Sequence, residues 1–438
     1  VRVITYGTFD LFHEGHQRLL ERAKELGDYL IVGVTTENYD YSRGKLNVRQ
    51  NLMQRVQNVE ATGLADLIII EEHEGQKITD IQKYEVDIFT IGSDWLGHFD
   101  YLHDYCRVVY LDRTKGISST QLRSNTDGIL RLGVVGTGRI ARRFVMESRY
   151  VAGVSVEAVH SRSSSRARHF AEELELPWVD ESYADMLKHI DAVYIATPHG
   201  SHVEIARRAL LAGRHVLVEK PVALARQQAS ELYELANERN LVCLEALKTA
   251  FAPGFQRLIG VARSGSIGQI RSVDATFTKM TPDGREHRAP DGGSISELAS
   301  YPLLAIIKLL GAEPQKISTH SYHPDDSEVE LFSRIDLTYP HAIASARTGI
   351  GVKAEGDLVI SGTRGYLYVP APWWLTDYFE TRFEDPVENR KFYFPFAGEG
   401  LRYELAEFAS MIRDGRSESF MLRQDDSLAI VGLMETAR

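Results

Sequence analysis

With 438 residues, 43% of them hydrophobic and 25% charged, the chain has apolar material for about three compact units. A formal net charge of −11 argues against general affinity for nucleic acid or an anionic membrane, so any phosphate site must be a local concentration of Lys, Arg and His. Two cysteines give no disulfide framework and no apolar run nears the roughly 18 residues of a bilayer span, which points to a reducing cytoplasm without membrane insertion.

The chain begins at once on an apolar strand-like run, residues 1–6, with no signal-like segment before it. A helix is predicted over 17–26. Between them stands Gly7-Thr8-Phe9-Asp10-Leu11-Phe12-His13-Glu14-Gly15-His16. Two histidines three apart, with a glycine between them, suit a polyphosphate at a strand-to-helix turn. Gly15 lets the backbone approach closely, the helix N-terminus offers N–H groups, and the imidazoles donate hydrogen bonds. A second segment repeats the logic: a strand over 108–111, then Arg113-Thr114-Lys115-Gly116-Ile117-Ser118-Ser119-Thr120. Such a site needs no nucleophile and no protein-bound metal, because its catalysis is charge stabilisation on a nucleoside triphosphate.

These two segments resemble the glycerol-3-phosphate cytidylyltransferase family, small nucleotidyltransferases with the HxGH signature. The resemblance runs over 1–123 and includes Lys45, Arg49 and Gly92-Ser93-Asp94-Trp95. It implies that His13 and His16 hold the CTP phosphates and stabilise the transition state. Arg113, Thr114, Ser118, Ser119 and Thr120 would reach the triphosphate from the other side, and Lys45 would sit on a phosphate at the reacting centre. Gly7, Thr8, Phe9 and Asp94 would complete the CTP site, with Mg2+ arriving on CTP. In one place the chain departs from the family: where a second arginine is expected on the helix predicted over 50–59, it has Gln57, with Arg55 nearby.

The polar stretch Ser124-Asn125-Thr126-Asp127-Gly128 reads as a junction. It gives a cytidylyltransferase domain over 1–124, a linker over 125–128, an NAD(P)-binding domain over 129–250 and a substrate-binding and oligomerisation domain over 251–438. A buried-type strand over 129–135 runs into Gly136-Thr137-Gly138-Arg139-Ile140-Ala141, the strand, glycine turn and helix of a dinucleotide site. The next strand, 154–159, is followed by His160, Ser161 and Arg162, with Arg166 close behind. No acidic residue stands there to bind a ribose 2′-hydroxyl, and Glu157 lies too far back. Ser161, Arg162 and Arg166 suit a 2′-phosphate, so NADP(H) is expected in preference to NAD(H). Further strands lead into Thr197, Pro198, His199 and His202, and then into Glu219-Lys220-Pro221. All these strand ends fall on one carboxyl edge of a parallel sheet.

From 129 to 438 the chain resembles the glucose–fructose oxidoreductase, inositol dehydrogenase and rhizopine-catabolism (Gfo/Idh/MocA) family of NAD(P)-dependent oxidoreductases. Glu-Lys-Pro after a strand is the most specific mark. The resemblance implies that Lys220 polarises the substrate carbonyl or hydroxyl, and that Thr197, Pro198, His202 and Glu219 line the cofactor. Its second element reads here Gly292-Gly293-Ser294-Ile295-Ser296-Glu297-Leu298-Ala299-Ser300-Tyr301. Glu297 and Tyr301, four apart, would share one helical face. Tyr301 takes the acid/base position, with a plain core aromatic as the alternative, while Glu297 and Ala299 replace the family's aspartate and glycine. Lys248, in Glu245-Ala246-Leu247-Lys248, is a candidate for a charged substrate or a solvated lysine. The alternation over 359–370 predicts an antiparallel sheet, whose exposed face the family commonly uses for a dimer. An amphipathic helix is predicted over 399–412.

The expected fold class is α/β: a Rossmann-like nucleotidyltransferase domain, a Rossmann NAD(P)-binding domain, and a C-terminal α+β domain with an open, mainly antiparallel sheet. The expected protein is a bifunctional homo-oligomer, dimer or tetramer. It would make CDP-glycerol from CTP and glycerol phosphate, and reduce a small keto or aldehyde precursor of the polyol with NADP(H). CDP-glycerol would serve capsular or teichoic-acid-like polymers. CDP-ribitol synthesis, or a cytidylyltransferase carrying a non-catalytic NADP-binding module, are the alternatives.

Overall fold

A computed structural model describes residues 1–36, 39–40, 48, 50–73, 75–95, 97, 99–111, 129–180, 182–281, 284–288, 292–325 and 327–438. The predicted linker 125–128 lies outside them. Two units are resolved: Val1–Ile129 with Tyr150–Ser155, and Leu130–Arg149 with Val156–Arg438. Among the described residues no helix is long and apolar enough to cross a membrane.

The first unit is a five-stranded parallel sheet of β1 (Arg2–Gly7), β2 (Tyr29–Thr35), β3 (Leu67–Glu71), β4 (Ile88–Gly92) and β5 (Arg107–Leu111), in the order β3-β2-β1-β4-β5. Helices α1 (Glu14–Lys24), α2 (Leu52–Glu60) and α3 (Gln76–Lys83) connect the strands. Val3, Ile4, Leu30, Ile31 and Val32 are buried in runs, not in alternation, as a sheet covered on both faces requires. The chain builds outward from β1 to β3 and then returns to β4 on the other side. Such a switch point opens a crevice at the carboxyl ends of β1 and β4. The helix α1 starts three residues before the apolar periodicity, because His13 caps it: its ring accepts from the Gly15 amide and its carbonyl from the amides of His16 and Gln17. Likewise α2 starts at Leu52 instead of residue 50, behind a reciprocal Asn51–Gln54 capping box.

The second unit opens with β6 (Leu130–Val135), α4 (Arg139–Ser148), β7 (Val154–His160), α5 (Ser164–Leu174), β8 (Trp178–Val179), α6 (Tyr183–His189), β9 (Ala192–Ile195), α7 (His202–Leu211), β10 (His215–Glu219), α8 (Arg226–Glu238) and β11 (Cys243–Ala246). The sheet order β11-β10-β9-β6-β7-β8 puts its switch point between β6 and β9. Cys106, in the first unit, and Cys243, in the second, are free thiols.

After α9 (Pro253–Arg263), an eight-stranded sheet forms from β12 (Ile270–Lys279), β13 (Lys316–Tyr322), β14 (Phe332–Thr338), β15 (Ile343–Ile350), β16 (Leu358–Gly362), β17 (Gly365–Val369), β18 (Tyr378–Phe383) and β19 (Arg390–Tyr393). Its order is β13-β14-β15-β12-β16-β17-β18-β19, antiparallel apart from the parallel pair β12–β15. The single helix expected around Glu297 and Tyr301 is two, α10 (Ser294–Leu298) and α11 (Ser300–Leu310), with a break at Ala299. Pro302 has no N–H to give the carbonyl of Leu298, so the ladder is interrupted there. Two helices, α12 (Leu401–Asp414) and α13 (Gln424–Ala437), finish the chain. The predicted start of α12 at residue 399 shifts to 401 because Gly400, at φ +85°, turns the chain into it.

Candidate active sites

In the first unit both histidines stand at the carboxyl end of β1. The Nδ1 of His13 accepts from the Gly15 amide at 3.1 Å, which puts the proton of the neutral ring on Nε2. The His16 ring stacks on that of His13 at 3.9 Å between centroids, with Phe9 at 5.4 Å and Phe12 at 5.5 Å around it. A Cβ at position 15 would meet the His13 ring at 2.9 Å, so any residue other than Gly15 would displace that ring.

The turn is bent through two non-glycine residues in left-handed backbone, Phe9 at φ +52° and Leu11 at φ +46°. Each costs roughly 1–3 kcal/mol and persists only if its surroundings hold it. They do. Phe9 is buried, the Leu11 amide donates to Gln50 Oε1 at 2.8 Å, and the Gln50 amide donates to Asp10 Oδ1 at 2.9 Å. Beneath lies Arg55, fully buried, whose Nη1 donates to the carbonyls of Thr8 (2.9 Å) and Thr35 (2.8 Å) and to Asp40 Oδ2 (3.3 Å). Asp40 also accepts from the hydroxyls of Thr8 and Thr35, at 2.8 and 2.7 Å. Sequence reasoning noted Arg55 only as a neighbour of a missing family arginine. Its signal, a charged residue on the inner face of an amphipathic helix, was present. Asp94 lies on the turn Ser93–Trp95, at the end of β4. The expected residues Lys45, Arg113, Thr114, Ser118, Ser119 and Thr120 lie outside the described residues.

In the second unit, Gly136 turns at φ +111°, and a Cβ there would collide with the carbonyl of Ala196 across the switch point. Around Gly138 nothing lies within 4 Å of a Cβ position, and it starts α4 with no side-chain cap. Thr137, Arg139 and Ile140 flank that open helix end. The arrangement fits a dinucleotide pyrophosphate. At the end of β7, Arg162 and Arg166 are exposed, while Ser161 Oγ accepts from the Ser163 amide at 3.4 Å. Glu157 is buried within the strand.

Lys220 donates from Nζ to the backbone carbonyl of Glu297 at 2.7 Å, and its Nζ lies 5.8 Å from the centroid of the Tyr301 ring. The carboxylate of Glu297 pairs with Arg285 at 2.9 Å and lies 3.7 Å from His199 Nε2. Neither His199 nor Arg285 was singled out as a site residue from sequence, and Arg285 belongs to a stretch without periodicity. The Tyr301 ring packs on Phe277 at 5.0 Å. Burial, then the charges of Glu219, Glu404 and Glu297, pushes its hydroxyl pKa well up, so the phenol keeps its proton.

Three expectations meet a different environment. His202, expected along the cofactor, is fully buried between the carbonyls of Pro221 (2.9 Å from Nδ1) and Thr197 (2.8 Å from Nε2), and burial holds its pKa down. It ties the β9 turn, with Thr197 and Pro198, to the Lys220–Pro221 segment. Glu219 faces inward, accepting from the Tyr194 hydroxyl at 2.6 Å, and burial raises its carboxyl pKa. Lys248 is not solvated: its Nζ donates to the Glu399 carbonyl at 2.6 Å, and burial lowers its pKa. The segment that covers it arrives about 150 residues later, out of reach of local pattern.

The sequence model of the cytidylyltransferase-like family matches residues 4–125. That of the oxidoreductase family with the NAD-binding Rossmann fold matches 130–247, and that of the GFO/IDH/MocA C-terminal domain matches 255–368. The chain belongs to both families, joined end to end. Its cytidylyltransferase part is 51% identical over 124 residues to glycerol-3-phosphate cytidylyltransferase of Bacillus spizizenii, covering 95% of that protein and 28% of this chain. The Gfo/Idh/MocA part is 29% identical over 329 residues to trans-1,2-dihydrobenzene-1,2-diol dehydrogenase of Bos taurus, covering 96% of it and 70% of this chain. Among solved structures, KijD10 from Actinomadura kijaniata, a 3-ketoreductase in complex with TDP-benzene and NADP, matches with a TM-score of 0.63 at 28% identity. That match covers 97% of KijD10 and 71% of this chain. The protein is therefore an enzyme with a cytidylyltransferase domain and an oxidoreductase domain.

Proposed function

We propose that the N-terminal domain joins CMP from CTP to a small polyol phosphate, glycerol phosphate first, and that the oxidoreductase domain reduces a keto or aldehyde precursor of that polyol with NADP(H). The observation that carries the first half is the stacked pair His13 and His16 at the turn after β1, with the His13 tautomer set by the Gly15 contact. A phosphate oxygen of the acceptor attacks the α-phosphorus, the bond to the β-phosphate oxygen breaks, and diphosphate leaves. Both imidazoles donate to the charge that develops, and Lys45, Arg113, Thr114, Ser118, Ser119 and Thr120 contribute as the family resemblance implies. Mg2+ enters as the partner of CTP.

In the second half, NADP(H), when bound, supplies the hydride. Gly136, Thr137, Gly138, Arg139 and Ile140 hold its pyrophosphate, and Ser161, Arg162 and Arg166 take the 2′-phosphate. The Glu297 carbonyl orients the Lys220 ammonium toward the substrate oxygen, where it stabilises developing charge. Tyr301, kept protonated by its surroundings, gives the oxygen its proton. The two halves are linked by their chemistry, because a transferase that needs a hydroxyl-rich phosphate is supplied by an enzyme that removes a carbonyl. The CDP-polyol serves capsular or teichoic-acid-like polymers, and the enzyme works in the cytoplasm as a homo-oligomer. A coupled assay of the full chain tests the reading: CTP with glycerol 3-phosphate should yield CDP-glycerol and diphosphate in preference to CDP-ribitol from ribitol 5-phosphate. Absence of any CDP-polyol across a panel of polyol phosphates would overturn it.

A further inference from the structure

Lys279 ends β12 half buried, yet among the described residues its ammonium takes part in no hydrogen bond or ion pair. Side chains alternate along a strand, so Lys279 shares a face with Phe277, whose ring packs on Tyr301 and against Leu298. Lys279 therefore lies on the Tyr301 side of the sheet, close to where Lys220 meets Glu297. Its surroundings hold charges of both signs. Burial first, then Arg139 and, more weakly, Lys220, hold its ammonium below the ordinary lysine range against the opposing pull of Glu286 and Glu297. Glu286 reports the same field: although burial opposes ionisation, its own backbone amide and the cations Lys279, Arg285 and Arg139 keep its carboxyl below the ordinary range. Arg285 is already engaged on Glu297. With Glu297 already paired to Arg285, the cations Lys279, Arg139 and Lys220 outnumber the one remaining carboxylate among these groups, Glu286, and an anionic ligand lowers the cost of gathering them at partial burial.

The phosphates of a dinucleotide have candidate donors elsewhere, at the open end of α4 and at Arg162 and Arg166. All of those come from the Rossmann part, whereas Lys279 comes from the sheet that follows it. We propose that Lys279 binds the phosphate of a phosphorylated carbonyl substrate whose carbonyl faces Lys220 and Tyr301. The proposal rests on the reading of this domain as a carbonyl reductase and names its substrate class. Hydride from NADPH adds to the carbonyl carbon and a proton to its oxygen, so NADP+ and a polyol phosphate leave. The product is then already in the form a cytidylyltransferase consumes, with no separate kinase step between.

The test uses the full chain, as wild type, Lys279→Met and Lys279→Arg, with dihydroxyacetone phosphate and dihydroxyacetone as a matched pair and NADPH oxidation as the readout. The wild type should prefer the phosphorylated member. In Lys279→Met that preference should fall about 10- to 100-fold, chiefly through KM, as expected for a lost charge-assisted contact, and Lys279→Arg should keep most of it. A loss shared equally by both carbonyls, or one seen in the KM for NADPH, overturns the proposal. If neither compound is reduced, the reductase reading fails for these carbonyls, and inorganic phosphate decides the site separately. Phosphate should perturb the fluorescence of NADPH bound to the wild type and not to Lys279→Met, whereas equal responses reject the assignment. Should Lys279→Met not fold, inorganic phosphate must compete with the phosphorylated carbonyl on the wild type, and failure to compete rejects the proposal.

Discussion

In the cytidylyltransferase domain the two histidines lie within one turn, His13 capping the very helix that carries His16. In the oxidoreductase domain Lys220 and Glu297 meet across 77 residues of chain, from the end of β10 and from α10. The buried cations follow the same contrast. Arg55 is fully enclosed by carbonyls and Asp40 and works as a tie behind a strained turn, while Lys279, among charges of both signs, takes part in no hydrogen bond or ion pair among the described residues. A local site concentrates its fragility in the scaffold beneath it. An assembled site spreads its fragility over every element that brings a side chain to the edge.

The largest effect expected is on that scaffold. Arg55→Met leaves Asp40 buried without its counter-charge and releases the turn, which should cost about 3–5 kcal/mol. The cytidylyltransferase domain should then unfold in a separate, earlier calorimetric transition, with reductase activity surviving it. A single transition at the wild-type temperature would show that Arg55 is not the tie described. Next comes His16→Ala, which removes one donor to developing phosphoryl charge and should lower cytidylyl transfer by about 10²–10³ in a folded protein. Diphosphate release near the wild-type rate would remove His16 from the chemistry.

The contrast also explains what was legible in the amino-acid order. The HxGH turn, the glycine turn at Gly136 and Gly138 and the Glu-Lys-Pro strand end are short segments whose conformation is set by neighbours in sequence, and both parallel sheets follow from their runs of buried residues. Helix starts moved by two or three residues, because caps such as His13 and Asn51 decide them and not the apolar period. That Lys248 is covered and not solvated could not be read locally, since the carbonyl it donates to belongs to Glu399, and the enclosure of His202 depends on carbonyls from two separate loops. Pro302 was visible and its effect calculable, yet the four-residue spacing of Glu297 and Tyr301 suggested one unbroken helix. Arg285 and Lys279 carry no local pattern, and only the fold brings them to the edge.

Two smaller effects sharpen the account of the assembled domain. Arg162→Asp should move cofactor preference from NADPH toward NADH by about 10- to 100-fold, since a carboxylate repels a 2′-phosphate and binds free hydroxyls. Tighter binding of NADH than NADPH by the wild type would contradict it. The smallest concerns Glu245, fully buried on β11, whose carboxyl is pushed by burial from 4.5 up to about 7. The folded protein holds this proton more tightly than the unfolded chain, so its contribution to stability is complete below about pH 4.5 and is lost as pH rises through about 7. Glu245→Gln should therefore gain on the wild type in melting temperature, by a few degrees, as pH is raised across that window. A constant difference between pH 4.5 and 8 would show that Glu245 does not hold the proton.

The central claim is that one chain carries two independent active sites, and Lys220→Ala tests it most directly. The variant should lose hydride transfer by about 10²–10³, since a methyl group cannot stabilise the developing alkoxide. Its rate of CDP-polyol formation, measured with CTP and excess polyol phosphate, should stay within about twofold of wild type, as expected for sites that share no reacting group. A collapse of that transferase rate in a well-folded Lys220→Ala protein would mean one composite site and contradict the account.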